Sequence, residues 1–175
     1  MAATKKTEAT RAAARATQRT SKPAASTQDA ITLLEADHTE VDGWFDDYEA
    51  LQTGDEKKAL AAKICVALKV HTQIEEELVY PAGRRETGDA NLLDQAVVEH
   101  AGAKALIAEI EAMQPGQPLY DAKVKVLGEQ VRHHVEEEET ELFPEMRETD
   151  IDLEALGAQL AARKAELMDL LGPTA

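Results

Sequence analysis

Cysteine is nearly absent: Cys65 stands alone in 175 residues. A single thiol excludes an intramolecular disulfide, so the fold has no call for an oxidising compartment, and the expected location is cytoplasmic. Long apolar runs are also missing. None approaches the roughly 20 residues that a membrane span requires, and the N-terminus lacks the apolar centre of a secretory signal, so no membrane partner is expected. Basic charge is scarce beyond the first 25 residues. That opening stretch holds six Lys and Arg and one acid, Glu8, whereas the remainder holds 13 basic and 33 acidic side chains, a balance of −20 within an overall −15. An acidic body argues against nucleic acid as its ligand, leaving only weak contact through the basic stretch.

What is present divides the chain into three. Residues 1–25 are Ala, Thr, Lys and Arg with almost no large apolar side chain, which predicts a disordered tail, unable to bury enough surface to offset its ordering entropy. The same composition fits an organellar transit peptide, although a solvated tail is the simpler reading. Residues 26–150 carry helical periodicity and form one domain of ordinary size. Residues 151–175 form a further amphipathic helix, with Leu153, Leu156, Leu160, Leu167 and Leu170 on its apolar side. That helix is expected to cover the bundle or to pair with a second copy.

Within the domain, Ser26 and Asp29 offer caps before a first helix carrying Ile31, Leu34, Val41, Phe45 and Tyr48, and Gly54 is expected to end it. A second helix, about 56–86, is expected to bury Leu60, Ile64, Ala67 and Leu78. Thr87-Gly88-Asp89 breaks it. A third, about 91–113, directs Leu93, Val97, Ile107 and Ile110 inward and stops at Pro115-Gly116-Gln117-Pro118. A fourth, about 120–149, aligns Val124, Leu127, Val131 and His134. Four long helices with short connections predict an all-α, antiparallel up-down four-helix bundle.

The apolar stripes carry a repeated polar pattern. His71-Thr-Gln-Ile-Glu75 ends in Tyr80-Pro81, and His134-Val-Glu-Glu-Glu138 ends in Phe143-Pro144, with equal His-to-Pro spacing. A lone His precedes each motif, His38 before the first and His100 before the second. His133 and Glu137 share the four-residue spacing, but His133 lies about 100° around the helix from the seam and breaks the repeat. One imidazole on a core stripe is usually a hydrogen-bonded core residue. Four, together with two carboxylates, would cost several kcal/mol per buried carboxylate without a shared countercharge.

A metal centre satisfies that set. Residues four apart stand above one another on a helix, so the His and Glu of one motif reach one point. Two halves supply two imidazoles per metal and two carboxylates able to bridge, leaving positions for an oxo or hydroxo bridge and an outside ligand. Donors of this type suit iron, manganese or zinc alike. There is no His-Glu-x-x-His signature and no Glu-x-x-His pair. Cys65 lies off the His71 line and is assigned to packing, and the acidic run Glu136 to Glu139 is otherwise read as a solvated face.

These motifs resemble the hemerythrin-like HHE cation-binding domains over about residues 29–149. The resemblance implies a four-helix bundle holding two non-haem iron ions, with His38, His71, His100 and His134 as terminal ligands and Glu75 and Glu138 as bridges. Oxygen-carrying hemerythrins have a further His one turn after the third-helix His, where this chain has Lys104, so the site looks less saturated than a carrier's.

Three readings follow. One is a di-iron protein that binds or reacts with O2, peroxide or NO, with peroxide- or oxygen-reducing activity open. Another is an iron-binding or iron- and oxygen-sensing module that acts through a partner without turnover, by way of the tail or the last helix. The third is a metal-free bundle with polar core layers. Lys104, four residues beyond His100, points either to the metals or to the rim beside them, where its stem would reach solvent.

Overall fold

The computed structural model describes residues 28–87 and 90–172; the tail at residues 1–25, Ser26, Gly88 and Asp89 lie outside them. Among the described residues the chain is helical throughout, with no strand. Helix α1 spans Ala30–Ala50. Helix α2, Gly54–Ile74, runs through a π-helical segment, Glu75–Val79, into α3, Tyr80–Glu86. Helix α4 spans Ala90–Glu111. Helix α5, Tyr120–Glu137, runs through a second π-helical segment, Glu138–Leu142, into α6, Phe143–Arg147. Helix α7 spans Leu153–Leu171.

Capping sets the helix starts. The Asp29 carboxylate accepts from the Thr32 amide, Thr53 from Glu56 and Asp152 from Ala155, each satisfying an amide that the first turn leaves open. Gly54 therefore opens α2 beneath the Thr53 cap; it does not end α1, which stops when Leu51 turns extended at φ −70°, ψ 141°. The loop after α4 turns on Gly116 and Leu119, both at positive φ.

The four bundle rods bury residues at alternating steps of three and four, the spacing of a narrow apolar seam. In α1 these are Ile31, Leu34, His38, Val41, Phe45 and Tyr48; in α4 they are Leu93, Ala96, His100, Ala103, Ile107 and Ile110. Ala96 takes the slot expected for Val97, which is 40% exposed. On the second rod Ile64, Cys65 and Leu68 are buried, while Leu60 and Ala67 pack at the margin. Leu78, also expected inward, is only partly buried and Val79 is buried instead. The π segment explains the change, because one extra residue in the turn advances everything after it.

Both π segments start at the glutamate of a His-xxx-Glu motif and end just before an aromatic-Pro pair. The amides of Tyr80 and Phe143 bond the carbonyls of Glu75 and Glu138, five residues back. Proline has no amide hydrogen and clashes with the carbonyl four residues behind it, so a widened turn lets the helix continue where an α ladder would break.

Apolar packing forms two clusters. One gathers Ile31, Leu34, Ile74, Leu93, Phe143 and Met146, with Leu156, Leu160 and Leu167 of α7. The other gathers Val41, Phe45, Ile64, Leu68, Ile107 and Leu127. The four buried histidines and two buried glutamates lie between them along the rods. Helix α7 covers α1 and α2, with Leu170 turned out at 76% exposure instead of packed. Its approach is close: a Cβ on Gly157 would fall 2.3 Å from the Gln28 carbonyl oxygen.

Candidate metal centre

Each half of the bundle brings its two histidines edge to edge. His38 and His71 face each other through Nε2 at 3.0 Å, and His100 and His134 do the same at 3.0 Å. Glu75 spans the two pairs, with Oε1 3.2 Å from His71 Nε2 and Oε2 3.4 Å from His100 Nε2. Glu138 places Oε2 3.5 Å from both His38 and His134 Nε2. All six side chains named from the sequence are buried and converge on one layer. His133 does not; its side chain is 63% exposed.

The outer edge of each imidazole faces a carboxylate that sequence reasoning missed. His38 Nδ1 donates to Glu139 at 2.9 Å, His100 Nδ1 to Glu76 at 3.0 Å and His134 Nδ1 to Glu99 at 2.9 Å. His71 Nδ1 faces Asp37 at 3.5 Å, an ion-pair distance. A carboxylate can only accept, so these contacts place a hydrogen on Nδ1 and make the inward Nε2 the nitrogen available to ligate. Glu139 is therefore no part of a merely solvated face. A signal existed: an acid directly precedes each lone His, at Asp37 and Glu99, and directly follows each motif Glu, at Glu76 and Glu139.

Tyr80 was also missed as a polar group. Its buried hydroxyl donates to Glu138 Oε1 at 3.0 Å and lies 3.1 Å from His100 Nε2, with its ring stacked on that imidazole at 5.4 Å. At the matching place Phe143 stacks on His38 at 5.8 Å. Lys104 turns to the rim, where its ammonium holds both oxygens of Glu76 at 2.6 and 2.7 Å. Cys65 is buried in apolar packing, and burial pushes its thiol up to about 11.

The electrostatics of the buried layer are uneven. Burial opposes charge on His71, but Glu75 and Asp37 beside it prevail and lift it to about 10. Glu75 is itself drawn below the usual carboxylate range, the His71 charge outweighing burial. Burial and the Glu75 charge push Glu138 well above it. Burial lowers His38 to about 3 and lowers His100 as well.

The donor set fits metal binding. Both oxygens of Glu75 and Oε2 of Glu138 are buried with no hydrogen-bond partner, a costly state that a cation beside them would relieve. Ligand atoms of His38, His71, Glu75 and Glu138 lie within 4.8 Å of one another, as do those of Glu75, His100 and His134. Against the imidazoles lies a cavity of about 30 Å³ walled by Val41, Leu68, Ala103, Val131 and Val135.

An antiparallel helical bundle with this His and Glu layer is a cation-binding domain of the bundle type. The chain belongs to the hemerythrin HHE cation-binding domain family, whose profile matches residues 29–146. It is 27% identical over 158 residues to a curated protein of Nostoc sp. named "DNA nickase"; the match takes in 89% of this chain but only 44% of that relative's length. Its fold is similar to the crystal structure of a hemerythrin HHE cation binding domain-containing protein from Mycobacterium kansasii. The TM-score is 0.71 at 24% identity, covering 82% of this chain and 89% of the other.

Proposed function

We propose that this chain holds two non-haem iron ions between its histidine pairs and presents them to O2, peroxide or NO. The observation that carries this reading is the convergence of three unpartnered carboxylate oxygens, from Glu75 and Glu138, on the inward nitrogens of four histidines. Each histidine pair would hold one ion, with Glu75 and Glu138 as the carboxylates the two ions would share. Iron, when bound, supplies the change of oxidation state and the affinity for small diatomic or peroxidic ligands.

The remaining residues prepare that site. Asp37, Glu76, Glu99 and Glu139 fix the tautomers and raise the basicity of the imidazoles. The apolar walls of the small cavity limit both water and ligand size. Tyr80 supplies a proton-bearing hydroxyl at Glu138 Oε1. Zinc and manganese accept the same donors, so the test is metal content with an optical spectrum, followed by peroxide consumption by the iron-loaded protein. Two iron ions per chain and measurable peroxide loss are expected; tightly held zinc alone would remove the redox reading.

A second reading, an iron- or oxygen-sensing module that acts through a partner, draws support from α7. Lys164 of that helix pairs with Asp37, which faces His71, so the C-terminal helix is tied to the metal layer. Iron binding without peroxide loss would favour it. The name of the Nostoc relative raises DNA cleavage, but the −20 balance outside the first 25 residues opposes a polyphosphate ligand on this domain.

A further inference from the structure

The small cavity against the imidazoles shares a wall with a groove on the surface. That groove, about 360 Å³ in volume, follows the seam of α1 and α5 and is edged by Thr39, Asp42, Glu136 and Thr140. His38, Val131 and Val135 line both the groove and the inner cavity. One layer of side chains therefore stands between solvent and the buried nitrogens on this side.

The seam lends itself to opening, because α1 and α5 pack less closely than α4 with α5 or α1 with α2. Of the three wall residues His38 is fixed, its Nδ1 being bonded to Glu139 at 2.9 Å. Val131 and Val135 are half-buried. Valine in a helix is held to one rotamer, so neither swings aside alone, and the wall opens only where α1 and α5 part. Arg132 restrains that parting: its guanidinium crosses the seam to bond Asp42 at 2.5 Å and Asp46 at 2.6 Å. The Arg132 side chain is 42% exposed, so the strap is a weak one that salt loosens. Other sides are closed more firmly. Towards α7 a space of about 50 Å³ shares Asp37, Val41 and His71 with the inner cavity, but Trp44 and Met168 line it and Lys164 is paired with Asp37 there. Between α4 and α5 the Gln130 side chain lies beside Gly102.

We propose that small neutral molecules reach the buried layer through the groove between α1 and α5, with Val131 and Val135 as the gate and Arg132 as the strap that sets how often it opens. The proposal rests on the reading of the buried layer as a centre for O2, peroxide or NO, and it adds how such ligands are selected. Size is tested at the two valines. Charge is tested at the rim, where, among the described residues, Asp42, Glu136 and Glu139 outnumber the one fixed cation, Arg132, and so oppose the approach of anions.

Xenon tests the route without any metal, its exchange between solvent and the cavity of the metal-free full chain being followed by nuclear magnetic resonance. Val135→Phe should slow exchange roughly tenfold, the lower end of the spread of association rates among variants of one site. Arg132→Gln should quicken it and leave xenon occupancy unchanged, because a strap acts on entry and exit alike. Met168→Trp, at the mouth beneath α7, should alter neither. Slowing by Met168→Trp equal to that by Val135→Phe, exchange untouched by Val135→Phe and Arg132→Gln, or a wild type that admits no xenon would each overturn the route. In the iron-loaded protein Glu136→Lys should speed azide association and leave that of NO unchanged; equal effects on both would overturn selection by charge. A chain that takes up no iron while xenon exchange follows the expected order would refute the metal centre and leave the gate standing.

Discussion

Tyr80 and Phe143 occupy matching places in the two halves, each stacked on a buried imidazole, yet only Tyr80 carries a hydroxyl, bonded to Glu138 Oε1 at 3.0 Å. At that oxygen the two halves of the site differ. Replacing Tyr80 by Phe removes a buried hydrogen bond without a large change of shape. The expected cost is about 1–2 kcal/mol in denaturant unfolding of the metal-free protein, with two metal ions per chain retained. A loss of metal content comparable to that of a His variant would show that the hydroxyl is required for binding.

Above neutral pH, metal-free stability and metal affinity should move in opposite directions. His71, lifted from 6.5 to about 10 in the folded state, contributes stability that is full below pH 6.5 and lost as pH rises through about 10. Glu138, raised above 4.5, acts with the same sign. Metal must displace both protons, so its affinity grows over the same interval. Urea midpoints of the metal-free protein should fall between pH 6.5 and 9.5, while competition with a chelator should show tighter binding.

His133 and His134 test the register of the fourth rod. His134→Ala should lose most of the bound metal. His133→Ala, outside the buried layer, should retain two tight ions at equilibrium. Metal analysis after desalting decides, and equal losses would place the seam on the wrong residue.

Lys104 is held by Glu76, which in turn holds His100, so the two substitutions should differ in size. Glu76→Gln weakens the acceptor on the His100 imidazole and, on the proposed reading of His100 as a ligand, should cost about tenfold or more in metal affinity. Lys104→Ala and Lys104→His remove only a partly exposed ion pair and should leave stoichiometry and the optical spectrum of the iron-loaded protein unchanged. A new absorption band in Lys104→His would mean that this position reaches the metals after all.

Helix α7 docks through Gly157. A methyl group there meets the backbone of Gln28 and Ala30, neither of which can turn aside like the end of a side chain. Gly157→Ala should cost about 1–3 kcal/mol and raise proteolytic sensitivity after residue 150, with the His and Glu layer still assembled. Unchanged stability and protection would show that the helix accommodates the methyl by a rigid shift.

The bundle and the burial of the four histidines and two glutamates were legible from the residues alone because seam membership is a local property. Steps of three and four place a side chain on one side of a helix whatever the helix later packs against, and His38, His71, His100 and His134 fall on those steps. The Tyr80-Pro81 and Phe143-Pro144 pairs marked the repeat without disclosing that each closes a π turn, which is why Val79 and not Leu78 is buried. What tertiary structure decided is everything that joins one rod to another. Asp37, Glu76, Glu99 and Glu139 each flank a seam and look like solvated acids in one dimension. Three of them serve a histidine on a neighbouring rod through contacts of about 3 Å, and a shift of one residue in rotation or offset between helices would break those contacts. Lys104 had two destinations open to it, and the position of Glu76 across the helix interface selects the rim.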